Sequence, residues 1–268
     1  MNSVSGIRNF STCMRRYANL QGKTAIVTAS TEGIGFAIAH KLGKDGANVV
    51  ISSRKEEKVS EALSKLKSDN ISAIGIPCHV GKSEDRKSLL DLAQSNFGAI
   101  DILVTNAGVN PYFGTTLQTP EKAYDKIFDT NVKSTFQWIQ DAVPLMEKSP
   151  NASITIVSSI GAFAPFEMLG IYSVSKTALV GLTKALSPEL GAKNIRINCI
   201  APGIIKTKFS QALWKNPDIS KTITSQVALK RVGTADECGG IVSFLSSDEA
   251  TYVTGETFVV SGGMPSRL

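Results

Sequence analysis

The chain has 268 residues, 42% of them hydrophobic and 19% charged, which is enough to bury the core of one large domain. The formal net charge is +6, but the basic residues are scattered rather than gathered in a stripe with interleaved aromatics, so the balance suits an anionic cofactor and argues against nucleic acid. No apolar run reaches the roughly 18–20 residues of a membrane span, and the four cysteines (Cys13, Cys78, Cys199, Cys238) and two histidines (His40, His79) stand apart, which excludes a zinc cluster or a disulfide scaffold.

The first 20 residues carry Arg8, Arg15 and Arg16, several Ser and Thr and no acid, and read as a flexible basic extension. The domain proper is expected over 21–265. "KTAIVTA" (23–29) is an apolar, β-branched strand. "GIGFAIAHKLGKDG" (33–46) is a helix with Ile34, Ala37, Ile38 and Leu42 on one face and Gly46 as a stop signal. Strands at 47–53 and 71–77 flank a polar-faced helix at 56–69. The stretch 83–97 is helical, with Ser83 as a plausible N-cap. A strand at 101–108 runs into a turn. A long helical stretch covers 119–143, with Pro144 at or near its end. Strands follow at 153–159, 194–203 and 256–263, with a helix from Tyr172 to Leu190.

Strands that are apolar throughout and alternate with helices imply a mostly parallel seven-stranded sheet covered on both faces: one α/β, Rossmann-type, doubly wound domain. In such folds ligands lie beyond the carboxyl ends of the strands. "TASTEGIGF" (28–36) joins the first strand to the first helix. Gly33 and Gly35 let the chain turn there and approach closely, while the free N–H groups and positive end of the helix suit a pyrophosphate. Ala29 is small enough to permit that approach if its φ is negative; a left-handed conformation there would be strained. At the end of the second strand an acid would accept from an adenosine ribose. Here Ser53, Arg54 and Lys55 stand instead, and a guanidinium favours the 2′-phosphate of NADPH.

Tyr172 and Lys176, four positions apart on a helix, share one face. Taken in order, "TASTEGIG", "NAG" (106–108), Asn131 in "TNVKS", "IVSSIGAF", "YSVSK" and "APG" (201–203) resemble the short-chain dehydrogenase/reductase family over about residues 22–263. The resemblance implies that Tyr172 is the catalytic acid and that Lys176 holds the nicotinamide ribose and lowers the phenol's pKa. It implies that Ser159, thirteen residues before Tyr172, binds the substrate oxygen, with Ser158 turned to the other face of the strand. Asn131 would anchor a water leading from the lysine to solvent.

The resemblance further implies cofactor contacts from Ser30, Thr31, Gly33, Ile34, Gly35, Ser53, Arg54, Lys55, Asn106, Ala107, Gly108, Pro202, Gly203, Ile205 and Thr207. Asp101 is implied as a structural acid near the adenine side. The family's acid is replaced by a histidine in "CHV" (78–80), which leaves the adenine contact to His79 and Val80, with His79 read mainly as a spacer. The implied reaction is NADPH-dependent reduction of aromatic ketones, α-dicarbonyls, quinones or retinal. The alternatives are an oxidative NAD(P)-linked alcohol or hydroxysteroid dehydrogenase, or a catalytically silent NADPH-binding assembly protein.

Loops at 109–116, 160–170 and 204–220 carry many apolar and aromatic residues, and Phe166, Leu169 and Trp214 are expected beside Ser159 in the substrate pocket. No metal is expected. The resemblance also implies a homo-oligomer, tetramer or dimer, built on the helices at 119–143 and after Tyr172. Ser266-Arg267-Leu268 resembles a peroxisomal address read by the import receptor, whereas the basic, acid-free first residues resemble a mitochondrial presequence.

Overall fold

A computed structural model describes residues 18–266. Cys13, Arg8, Arg15, Arg16, Arg267 and Leu268 lie outside the described residues. The apolar segments form strands β1 (Thr24–Val27), β2 (Asn48–Ser53), β3 (Ala73–Pro77), β4 (Ile102–Thr105), β5 (Ala152–Val157), β6 (Ile195–Pro202) and β7 (Thr257–Val260). They pair in the order β3-β2-β1-β4-β5-β6-β7, and every pair is parallel. The order reverses between β1 and β4, which opens a crevice at their carboxyl ends.

Helices α1 (Gly33–Lys44), α2 (Glu56–Ser68) and α9 (Gly239–Ser246) bury one sheet face, with Ile38, Leu42, Leu66 and Val242 against Val27, Val49, Ile51 and Val104. Helices α3 (Ser83–Phe97), α5 (Ser134–Met146) and α6 (Gly170–Gly191) bury the other, with Leu89, Trp138, Met146 and Leu179 against Ile26, Leu103, Ile154 and Ile197. The remaining helices are α4 (Glu121–Phe128), α7 (Gln211–Trp214) and α8 (Pro217–Gln226). Both faces are covered, which is why the strands lack polar alternation. Among the described residues no helix is long and apolar enough to cross a membrane, and no His/Cys/Asp/Glu cluster could hold a metal ion.

Two local expectations change. Ser83 is the first residue inside α3, flanked by Lys82, and its hydroxyl donates to the Glu84 carboxylate at 3.0 Å instead of capping the helix. The stretch expected as one helix over 119–143 starts at Glu121 and converts to a π-helical segment, Asp129–Lys133, before α5. Pro144 lies near the end of α5, as expected, and the helix runs on to Met146. So close to the carboxyl end, the lost N–H bond affects only the last turn. Gly46 takes a φ of +104° just past α1, where a side chain would be strained.

Candidate active site

At the β1–α1 junction Gly33 has a φ of +60° and Ala29 a φ of +50°. Of the two conformations considered for Ala29 the strained, left-handed one is adopted, at a cost of about 1–2 kcal/mol. The Asn106 amide holds it there, donating to the carbonyls of Thr28 (3.1 Å) and Ala29 (3.0 Å). Gly35 packs beneath: a Cβ on it would lie 2.4 Å from Asn106 Nδ2 and 2.5 Å from Ala29 O. No side chain caps α1 at Glu32, so the N–H groups of its first turn are available to an anion. A tight loop closed over an uncapped helix start fits a dinucleotide pyrophosphate.

Two expected cofactor contacts take other roles. Ser30 is fully buried; its Oγ donates to Val27 O (2.6 Å) and accepts from Ser52 N–H (3.1 Å), tying β1 to β2 rather than facing the crevice. His79 folds onto its own turn, Nδ1 accepting from Gly81 N–H at 3.2 Å while its backbone N–H donates to Asp85. The adjacent Val80 carbonyl accepts from Arg86. Thr31 is half-buried in the loop, and Arg54 and Lys55 are exposed just beyond β2, with Ser53 Oγ turned onto the backbone of Lys55.

Asp101 does not lie on the adenine side. It precedes β4 at the amino end of the sheet, where its carboxylate accepts from Thr24 N–H (2.7 Å) and from Ser149 Oγ. It is a structural acid, because the start of β1 and the turn at Ser149 need an acceptor there.

Across the crevice, β5 ends beneath α6. Ser158 Oγ donates to the Lys176 carbonyl at 2.7 Å, on the opposite side from Ser159, as the strand alternation requires. Ser159 Oγ accepts from Gly161 N–H at 3.1 Å and reaches the Tyr172 hydroxyl. Lys176 is buried, donates to Val157 O at 3.0 Å and holds its Nζ 5.7 Å from the Tyr172 ring centre. Gly108 makes room for it: a Cβ there would stand 3.3 Å from Nζ.

Burial pushes the Tyr172 phenol up to about 12, against a lesser downward pull from the Ser159 hydroxyl. Burial also draws the Lys176 ammonium down to about 8. Burial dominates this phenol and the Ser159 hydroxyl offsets it only in part; the lowering expected from Lys176 together with an oxidised nicotinamide concerns the cofactor-bound state. Asn131 stands in the π-helical segment. Its Oδ1 accepts from Val109 N–H (2.8 Å), and its Nδ2 donates to Val109 O (3.1 Å) and Ser175 Oγ (3.0 Å).

A cleft of about 300 Å³ opens over Tyr172 and Ser159, lined by Ile34, Phe166, Leu169, Gly203, Ile205 and Phe209 among others. Pro202 and Thr207 border the same cleft. Trp214, expected there, turns away instead, its indole N–H donating to Thr207 O at 3.0 Å and its ring 5.1 Å from Lys206 Nζ. Two residues escaped the sequence reading. Thr28 Oγ1 accepts from the N–H groups of Asn106 and Ala107. Ser175 bridges Asn131 to the Tyr172 carbonyl. Both stand inside motifs already singled out, Ser175 in "YSVSK" and Thr28 at the head of "TASTEGIG", so either could have been found.

A family model described as enoyl-(acyl carrier protein) reductase matches residues 28–265. The chain is 55% identical to dehydrogenase/reductase SDR family member 4 of Oryctolagus cuniculus, over 93% of this chain and 96% of the relative. It is 48% identical to tropinone reductase-like 3 of Erythroxylum coca, over 92% and 95%. A solved short-chain type dehydrogenase/reductase from Mycobacterium ulcerans superposes with a TM-score of 0.88 at 28% identity, over 92% of this chain and 90% of that one. Strand order, crevice and the matched length agree: the chain belongs to the short-chain dehydrogenase/reductase family of NAD(P)-dependent oxidoreductases.

Proposed function

We propose that the chain reduces neutral carbonyl compounds (aromatic ketones, α-dicarbonyls, quinones, retinal) to alcohols with NADPH, and that Tyr172 gives the proton. The observation that carries this is a cleft in which Ser159 and Tyr172 meet apolar walls and none of the lining residues is charged. A carboxylate or phosphate substrate would find no counter-ion there, whereas a ketone finds two hydroxyl donors and an apolar body-site.

When bound, the nicotinamide supplies a hydride to the carbonyl carbon. As charge grows on the carbonyl oxygen, Ser159 and Tyr172 donate to it, and Tyr172 passes its proton across. A phenol held at about 12 is protonated at neutral pH, as the reductive direction requires. Lys176 would bind the ribose and hold positive charge beside the phenol, and Asn131 would anchor the route by which a proton returns. The first turn of α1, with Thr31, Gly33, Ile34 and Gly35, would hold the pyrophosphate. Asn106, Ala107 and Gly108 would lie under the dinucleotide, and Pro202, Gly203, Ile205 and Thr207 beside the nicotinamide amide.

The choice of NADPH rests on Ser53, Arg54 and Lys55, which stand at the end of β2 where an acid would repel a 2′-phosphate. Exposed Tyr124, Phe136 and Val174 on α4, α5 and α6 support assembly of copies through those helices as a dimer or tetramer. The Ser266-Arg267-Leu268 tripeptide supports peroxisomal import.

The test measures NADPH and NADH oxidation against a ketone, quinone and retinal series for the wild type, Tyr172→Phe and Arg54→Asp. Expected are turnover by the wild type, its loss in Tyr172→Phe with cofactor binding kept, and loss of NADPH preference in Arg54→Asp. Residual turnover in Tyr172→Phe removes the acid role, and NADPH preference surviving Arg54→Asp removes the cofactor assignment.

A further inference from the structure

Beyond Ser159 and Tyr172, the polar side chains lining the cleft are almost all spent. Ser158 donates to the Lys176 carbonyl, and Thr207 and Ser210 bond each other and the backbone of Ile205 and Thr207. Asn110 differs. Its half-buried side chain lines the cleft, and its amide has no hydrogen-bond partner among the described residues. An amide that can donate twice and accept twice, set in an apolar wall, costs free energy whenever a substrate strips its water without replacing it.

The position of Asn110 is not that of a loose loop residue. The preceding residue, Val109, is gripped at both its backbone groups by Asn131, at 2.8 and 3.1 Å. The same Asn131 amide donates to Ser175 Oγ at 3.0 Å, and Ser175 Oγ donates to the carbonyl of Tyr172 itself at 2.6 Å. The next residue, Pro111, restricts Asn110 to extended backbone. One buried amide thus holds Asn110 and the catalytic tyrosine in fixed relation.

We infer that Asn110 is a specificity-determining residue: it hydrogen-bonds a second, neutral oxygen on the substrate while Ser159 and Tyr172 bind the reacting one. This inference rests on the carbonyl-reductase reading. The substrate class it selects is a ketone with a neighbouring neutral oxygen, an α-dicarbonyl or α-hydroxyketone, over the matching monoketone. With no charged residue lining the cleft, the second oxygen is not a carboxylate.

The test compares kcat/KM for 1-phenyl-1,2-propanedione and propiophenone with NADPH in the full chain, wild type against Asn110→Leu and Asn110→Asp. Expected is a fall of about tenfold in the diketone-to-monoketone ratio in both variants, the worth of one hydrogen bond. Asn110→Asp is nearly isosteric, loses the donor and keeps the test open if the leucine variant does not fold. The matching hydroxyketone and mono-alcohol products should show the same change of ratio in calorimetric dissociation constants. An unchanged ratio, or equal loss on both ketones, overturns the inference while the carbonyl-reductase reading stands. A wild type that turns over neither ketone overturns both.

Discussion

Replacing Lys176 by methionine should make the protein more stable and nearly inactive. Lys176 is 3% exposed, its Nζ donates to Val157 O at 3.0 Å, and burial draws its pKa from 10.5 down to about 8. In the unfolded chain the ammonium keeps its proton up to about pH 10.5; in the folded chain it releases it near pH 8. Below that window both states are charged and the difference stands as a folding penalty of about 3 kcal/mol. Between pH 8 and 10.5 the unfolded state binds more protons, so this group makes stability rise with pH until the penalty is gone. Lys176→Met removes the charge at similar length and loses one hydrogen bond worth about 1 kcal/mol. The net expectation at pH 7 is a gain of about 2 kcal/mol, or about 4–8 °C in Tm for a chain of this size. Differential scanning calorimetry of both proteins at pH 7 and pH 9.5, with turnover assayed in parallel, checks it. A variant that melts at or below wild type at pH 7, or a gap that fails to narrow at pH 9.5, refutes the reasoning.

Gly35→Ala should force the loop open, because its Cβ would lie 2.4–2.5 Å from Asn106 Nδ2 and Ala29 O; overpacking of this kind costs about 1–3 kcal/mol. Cofactor fluorescence titration should show weakened NADPH binding, and an unchanged Kd would remove Gly35 from the cradle. Asp101→Ala leaves a buried Thr24 N–H without its acceptor, so urea unfolding should report a loss of about 1–3 kcal/mol while cofactor affinity stays constant. A large affinity loss at constant stability would return Asp101 to the adenine side. Burial pushes Cys78 and Cys238 up to about 12 and Cys199 up to about 11. Mass spectrometry after iodoacetamide treatment at pH 8 should find these three thiols modified only in unfolded protein.

Strands were legible from sequence because burial on both faces leaves continuous β-branched, apolar runs, and the gathering of Asn131, Ser159, Tyr172 and Lys176 because these residues recur at ordered spacings. What was not legible depended on partners distant in sequence. The sequence left the φ of Ala29 open, and the Asn106 amide, from the end of β4, pins it at +50°. Asp101 was placed on the correct strand but assigned to the wrong end of the sheet, since an acid just before a strand carries no local sign of which edge binds ligand. Ser30 sits in the phosphate loop by sequence, yet the start of that loop serves as a strand tie. Trp214 has the composition of a pocket residue, and only the fold shows its indole turned onto Thr207. Ser83 had cap chemistry, but the helix begins one residue too early to use it.

The strained features of the chain are not spread evenly. A π-helical segment has poorer hydrogen-bond geometry than an α-helix and persists only where the surroundings hold it. Here it sets Asn131 where one amide can reach both Val109 and Ser175. The left-handed Ala29, the uncapped start of α1 and the buried Lys176 lie at the same edge, beyond the carboxyl ends of β1, β4 and β5. At the opposite edge Asp101 satisfies Thr24 and Ser149 and Lys23 pairs with Asp248 at 2.7 Å, while Asn70 and Asn194 turn toward β3 and β6 with φ of +59° and +57°, a conformation that asparagine tolerates better than alanine does. Left-handed Ala29 and buried Lys176 are therefore the costlier features, and the rest of the sheet stabilises them beside the crevice.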